Sequence, residues 1–307
     1  MTDVALLTDR RYTAATAAAD DWYLGNILAD DRLLQDALAR RGLSSARVDW
    51  ADPAIDWSTF RCGVFRTTWD YYERFAEFRR WLDRVSSLTR LINPLATVIW
   101  NADKHYLADL EAAGVPIVPT VFLEQGSALD LVARLAALGW SEAVIKPCVS
   151  GGARHTYRFT CETAANVEPV VRQVLAEESF LLQPFEPYVL ASGEDSLMVL
   201  DGVYSHAIRK LPKPGDFRVQ DDHGGTVRPR QPDDEQIALA VRAAAAAGDP
   251  AYARVDLVRG RAGGWAVMEL ELIEPELWLR CHPPAAELFA AAIANQLWNS
   301  DSTSQPS

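Results

Sequence analysis

The chain has 307 residues, 49% hydrophobic and 23% charged, which suits a soluble globular protein with room for two or three lobes. Thirty Lys and Arg against 42 Asp and Glu give a net charge of −12, and no basic cluster stands out, which excludes nucleic-acid binding as a main role. No apolar run approaches the ~20 residues of a membrane span, residues 1–7 lack a secretory pattern, and Cys62, Cys148, Cys161 and Cys281 form no CxxC pair, so a cytosolic protein with free thiols is expected.

Residues 4–8 read as a first buried strand. A helix over 31–42 follows, with Leu33, Leu34, Ala37 and Leu38 on one face and Gly42 as its stop. Short strands at 47–50 and 63–65 complete a small parallel α/β unit ending near residue 90. Ligands of such sheets sit beyond the carboxyl ends of the strands, where Arg66-Thr67-Thr68-Trp69-Asp70-Tyr71 falls. Arg66, Asp70 and Tyr71 are therefore candidate substrate contacts, against the plainer reading that the aromatics pack between lobes.

Asn101 is suited to cap a helix over 102–113, which puts Lys104 in its first turn. The helix dipole disfavours a lysine there unless it meets an anion; a surface lysine is the plain alternative. A helix at 128–138 leads to a strand at 143–146 that ends in Lys146 and Pro147, followed by Ser150-Gly151-Gly152 and a strand at 155–159. Glycines let backbone N–H groups turn toward phosphate oxygens while the lysine supplies a point charge. GxxxxGK[ST] is absent, so this is not a P-loop, and an ordinary glycine hairpin is the alternative.

The stretch Gln183-Pro184-Phe185-Glu186-Pro187 interrupts a strand with prolines, freeing backbone groups beside an aromatic that could read a purine edge or simply link two lobes. Hairpins are expected at Asp201-Gly202 and over 261–264, helices at 237–247 and 285–297, and a disordered polar tail at 299–307. Between Ile208 and Gln220, Arg209, Lys210, Lys213 and Arg218 crowd a Pro/Gly-rich loop, either an anion clamp or a solvated loop.

A hairpin centred between Ala262 and Gly263 sets Asp256 opposite Glu269, and strand alternation puts Glu271 on the same face. Three co-facial carboxylates repel one another unless a cation lies among them. Oxygen donors with no His or Cys nearby favour Mg²⁺ or Mn²⁺; a solvated acidic face is the alternative.

Taken in order, Asn101-Ala102-Asp103-Lys104, Ile145-Lys146-Pro147 with its Ser-Gly-Gly loop, Gln183-Pro184-Phe185, the arginine-bearing loop, Arg254-Val255-Asp256 and Glu269-Leu270-Glu271 resemble the ATP-grasp superfamily in its glutathione-synthetase-like branch. The resemblance spans about residues 91–279. It implies an α/β (α+β) fold in which a Rossmann-like domain (1–92) precedes a small lobe (93–186) and a C-terminal lobe (187–307) that close on ATP. By position, Lys104 and Lys146 would contact the nucleotide, and Ser150, Gly151 and Gly152 would cover its phosphates. Gln183, Phe185 and Glu186 would hold adenine, Glu194 ribose, and Asp256, Glu269 and Glu271 the metal. Arg218, helped by Arg209, would stabilise the acyl-phosphate and tetrahedral intermediates. Where glutathione synthetases place a hydroxyl-rich substrate contact, this chain has Glu274, and the whole pattern is closer to cyclising D-cycloserine-synthetase-like ligases. The implied activity is an ADP-forming carboxylate–amine or cyclising ligase acting on an amino-acid-like substrate in specialised metabolism, as a homodimer. A dipeptide or glutathione-like ligase, an ATP-dependent kinase, and a nucleotide-binding protein with a degenerate site are the rival readings.

Overall fold

In the computed structural model, residues 2–219, 224–261 and 263–298 are described. The expected tail at 299–307, Ala262 of the hairpin turn, and Gln220 of the cationic loop lie outside them. A parallel sheet opens the chain, made of β1 (Thr2–Thr8), β2 (Ser45–Asp49), β3 (Phe60–Thr67) and β4 (Arg90–Ile92) in the order β2-β1-β3-β4. Val4 to Leu7 are fully buried, as a strand covered on both faces requires. Helices α1 (Trp22–Arg40) and α2 (Phe75–Val85) belong to this part of the chain.

Helix α1 begins nine residues earlier than its sequence pattern predicts. Asp21, not a residue near 30, caps it by accepting from the Leu24 N–H at 3.0 Å. Asp31, where the sequence pattern starts the helix, and Asp30 both lie buried in the helix interior. Asp31 is held by Arg47 at 2.7 Å and Arg66 at 2.9 Å, and Asp30 by Arg280 at 3.0 Å.

The single helix expected over 102–113 is two short ones, α3 (Leu95–Asn101) and α4 (Tyr106–Ala112). Asn101 closes α3 rather than capping a helix. Its amide donates to the Leu270 carbonyl at 2.8 Å and accepts from the Leu272 N–H at 2.7 Å. This clasp ties the turn carrying Lys104 to the strand that carries Glu269 and Glu271.

The second sheet is antiparallel and contains β5 (Val121–Leu123), β6 (Glu142–Pro147), β7 (Tyr157–Thr160) and β8 (Phe180–Pro184), ordered β5-β8-β6-β7. Its helices are α5 (Leu131–Leu138), which stops at Gly139 in a left-handed conformation (φ 67°), and α6 (Ala164–Leu175). A short helix α7 (Tyr188–Ser192) leads to the third sheet, β9 (Glu194–Leu200), β10 (Val203–Leu211), β11 (Thr226–Arg230), β12 (Tyr252–Arg259) and β13 (Trp265–Glu271), ordered β11-β10-β9-β12-β13. Helix α8 (Asp234–Ala245) covers one face of that sheet, with Leu239, Ala240 and Ala243 in its core, and α9 (Ala285–Trp298) packs between this sheet and α1. The other face of the third sheet looks into a cleft shared with the second sheet and with the carboxyl ends of β1 and β3.

Candidate active site

That cleft is a cavity of about 310 Å³. A larger open groove of about 870 Å³ lies at the opposite, amino ends of β3 and β4, but no carboxylate or lysine lines it. The chemistry is concentrated in the smaller one.

The ladder register places Asp256 opposite Glu269 and Arg254 opposite Glu271, with a bulge just beyond Asp256. Both pairs face the cavity. The carboxylates are not bare. Glu269 meets Lys146 at 3.0 Å and Lys104 at 3.2 Å, so two lysines from different segments converge on one carboxylate. Burial works against its charge, but the two lysines prevail and bring its carboxyl down to about 2. Arg254 forks onto both oxygens of Asp256 at 3.0 and 2.9 Å and also reaches Glu271. Burial would raise the Asp256 carboxyl, yet Arg254 and Lys210 hold it well below the usual range. For Glu271 burial wins: its carboxyl is pushed up to about 7, because Arg254 is offset by the neighbouring charges of Glu269 and Asp256. Among the described residues, these three carboxylates do not form a cluster of ligand atoms within 4.8 Å of one another; Asp103, His105 and Cys148 do.

Lys104 sits in the turn between α3 and α4. Besides Glu269 it donates to the Ser150 carbonyl at 2.6 Å, so it holds the start of the glycine loop. Ser150 bonds back to the Pro147 carbonyl at 2.9 Å. Gly151 and Gly152 lie against the ring of Tyr72, with Gly152 in a left-handed conformation (φ 55°). Gln183 donates to Thr120 at 3.0 Å, and Phe185 is buried with Arg158 stacked over its ring at 3.7 Å. Glu186 keeps one carboxylate oxygen buried without a partner among the described residues, and burial raises its carboxyl. Glu194 pairs with Lys210, which also reaches Asp256 at 3.1 Å.

Several expected site residues lie elsewhere. Arg209 faces away from the cavity, because neighbours on a strand point to opposite faces. It pairs with Asp195 at 2.6 Å, beside Gln236 of α8. Lys210 takes the cavity side instead. Arg66 is buried against Asp31 and the Phe289 ring. Asp70 accepts from the Trp50 indole at 2.7 Å and pairs with Arg74, and Tyr71 is packed among core aromatics. The neighbours of these residues, Trp69 and Tyr72, line the cavity together with Arg11, Tyr12 and Tyr23. Arg218 does line it, and its guanidinium forks onto Asp216 of the same loop at 2.7 Å. Glu274 lines it as well.

Arg254 and Trp278 line the cavity although the sequence pattern gave neither a role of its own, and Lys210, expected only as one cation of a candidate clamp, joins them. Arg254 was legible: it lies two residues before Asp256 on the same strand and so on the same face. Trp278 was not. It adopts a left-handed backbone (φ 45°, ψ 45°) that lays its indole beside Arg254 at 5.3 Å and Lys210 at 5.8 Å. A non-glycine residue pays strain there.

Comparison with known proteins accords with this arrangement. A family model described as D-cycloserine synthetase DcsG, N-terminal domain, matches residues 4–93. The chain is 39% identical to the cycloserine biosynthesis protein DcsG of Streptomyces lavendulae over 280 residues, covering 86% of this chain and 92% of that protein. The crystal structure of D-cycloserine synthetase DcsG superposes with a TM-score of 0.84 at 37% identity, covering 96% of this chain and 99% of that one. A RimK domain ATP-grasp protein from Sphaerobacter thermophilus (TM-score 0.67, 21% identity, covering 95% and 99%) and a D-alanine–D-alanine ligase from Bacillus anthracis complexed with ATP (0.65, 11%, covering 99% and 100%) share the fold.

Proposed function

The chain belongs to the D-cycloserine synthetase family of ATP-grasp ligases, and on that premise we propose that it closes a ring of the D-cycloserine type on an amino-acid-derived substrate. It is an ATP-dependent, ADP-forming ligase that makes C–N bonds. The observation that carries the assignment of its site is the convergence of Lys104 and Lys146 on Glu269 beside the Arg254–Asp256–Glu271 group, in one cavity under a glycine loop.

In this reading adenine enters the slot beside Val144 and Phe185, where the unpartnered Glu186 oxygen can accept from the exocyclic amine. Glu194 takes the ribose hydroxyls. Lys104 and Lys146 exchange Glu269 for phosphate oxygens, and the backbone of Ser150–Gly152 covers the phosphates and excludes water. The γ-phosphoryl passes to the substrate carboxylate and ADP leaves. The substrate's own nitrogen then attacks the acyl phosphate, the C–N bond forms, and phosphate departs with the carboxylate oxygen. Arg254 supplies a planar, always-charged donor to the tetrahedral oxyanion, and Arg218, paired with Asp216, orders the loop beside it.

Asp256, Glu269 and Glu271 offer only oxygen donors, which suits Mg²⁺ or Mn²⁺. Glu271, whose carboxyl is raised toward neutrality, is the member that gains most from an added cation. The ion would neutralise charge on the phosphates during transfer. The reading treats residues 1–92, 93–186 and 187–307 as three units closing on ATP, and the protein as a homodimer; both rest on the resemblance. Incubation with ATP, Mg²⁺ and candidate linear precursors, scored for ADP and for a product lighter by ring closure, tests the function. ADP release without a cyclised product would favour an intermolecular ligase.

A further inference from the structure

We propose that Glu274 and the aromatic wall of Tyr12, Trp69 and Tyr72 form a subsite for the substrate's ammonium group, so that the cationic end of the substrate lies at this end of the cavity. The proposal rests on the ligase reading above and names the chemistry its substrate must carry.

Among the described residues two cavity carboxylates stand without a lysine or arginine partner, Glu186 in the slot beside Phe185 and Glu274 beside Trp69. Lys104 and Lys146 answer Glu269, Lys210 answers Glu194 and Asp256, and Arg254 answers Asp256 and Glu271. Glu274 lines the same cavity, but no described Lys or Arg nitrogen lies within 4.0 Å of its carboxylate. Burial and the adjacent Glu271 raise its carboxyl well above the usual range. Such a group is costly as an anion until a positive charge arrives.

The wall opposite fits a cation of one kind. The Trp69 indole donates to the Glu274 carbonyl at 3.0 Å, which fixes the wall against the segment bearing the carboxylate. Trp69 stands edge-on to Tyr12 at 5.4 Å. Tyr72 lines the same cavity, and burial followed by the charges of Glu73 and Glu274 raises its hydroxyl to about 12. Aromatic rings attract alkylammonium groups through their negative faces, whereas a bare divalent ion needs several further hard oxygens.

The test is calorimetric binding to the ADP–Mg²⁺ complex of the full chain, using matched pairs: D-cycloserine against isoxazolidin-3-one, and D-serine against D-glycerate. We expect the ammonium member of at least one pair to bind at least tenfold more tightly, Glu274→Gln to erase that preference without changing ADP affinity, and Trp69→Leu to weaken only the ammonium member. If only the D-serine pair behaves so, the subsite stands and the D-cycloserine assignment falls. If D-cycloserine binds but neither pair shows a preference for its ammonium member, the assignment stands and the subsite falls. Preference retained in Glu274→Gln, absence of preference in both pairs, or a changed Mg²⁺ requirement for ADP in that variant also overturns the subsite.

Discussion

The ring of Tyr72 lies so close to Gly151 that a Cβ built on the glycine would come within 2.5 Å of it. Tyr72 follows β3, whereas Gly151 belongs to the loop after β6, so the glycine loop rests on the N-terminal part of the chain as well as on Lys104 of its own lobe. Gly151→Ala must therefore push the ring or the loop aside, a strain of about 1–3 kcal/mol. The expected outcome is a raised KM for ATP that Tyr72→Ala, added in the same chain, largely reverses. Steady-state kinetics on the four corners of this cycle decide it, and additive effects would mean that the loop swings clear of Tyr72 during turnover.

Lys146→Met removes one of two lysines but leaves Glu269 paired with Lys104. The fold should survive. ATP affinity should fall by about 1.5–3 kcal/mol, the range for a charged hydrogen bond. Unchanged affinity in a nucleotide titration would return Lys146 to the role of a counter-ion for Glu269.

Glu269→Gln keeps the shape and removes the charge that both lysines now share. The Mg²⁺ concentration for half-maximal ADP release should rise at least tenfold, while the melting temperature falls because two buried ammonium groups lose their partner. Metal-independent loss of rate would assign Glu269 to lysine positioning alone.

Sequence patterning reached the Asp256–Glu269 pair although the pairs nearer the turn, Leu257–Val267 to Arg259–Trp265, are shifted by one residue, because the bulge between Asp256 and Leu257 restores the expected register. The same alternation carries Arg254 to the cavity face. It misplaced Arg209 because residues 208–220 read as a loop, whereas β10 continues to Leu211 and strand parity sends Lys210 inward. Arg66 was misjudged for a different reason. Its partner, Asp31, comes from the middle of helix α1, and a buried pair between distant segments leaves no local periodicity. Trp278 depends on a strained backbone that tertiary packing imposes, which no propensity could announce.

His206 provides a pH test independent of catalysis. Its ring is buried, donates from Nε2 to the Leu277 carbonyl at 2.8 Å and stacks on His282, and burial lowers it to about 4. A histidine whose folded value lies below its unfolded value of about 6.5 resists protonation only while folded. Stability is therefore whole above pH 6.5 and declines as pH falls toward 4, by about 3 kcal/mol for this group. Urea melts of the native chain and of His206→Gln at pH 7 and pH 4.5 should converge at the lower pH as the native protein loses its advantage. A constant difference between them would place the acid sensitivity elsewhere.

Arg254 and Arg218 both face the cavity, and their surroundings separate their roles. Arg254 is buried, clamped by Asp256 and Glu271, and backed by the Trp278 ring, so it is preorganised before substrate binds. Arg218 is more exposed, and Asp216 of its own loop holds it. A donor that meets charge only in the transition state lowers kcat when lost, typically by ~10²–10³, with KM little changed. Arg254→Lys, which keeps the buried charge but loses the planar fork, should show this pattern. Arg218→Ala should instead raise KM for ATP and substrate, with a smaller effect on kcat, because its removal chiefly frees the loop that Asp216 and Arg218 order together. Asp216→Asn would then reproduce the KM effect with Arg218 intact. If Arg218→Ala alone lowers kcat a hundredfold at unchanged KM, and Asp216→Asn does not, Arg218 leaves Asp216 during closure and is the oxyanion donor. Comparing kcat and KM for the three variants, each shown to melt as a folded protein, separates the two assignments.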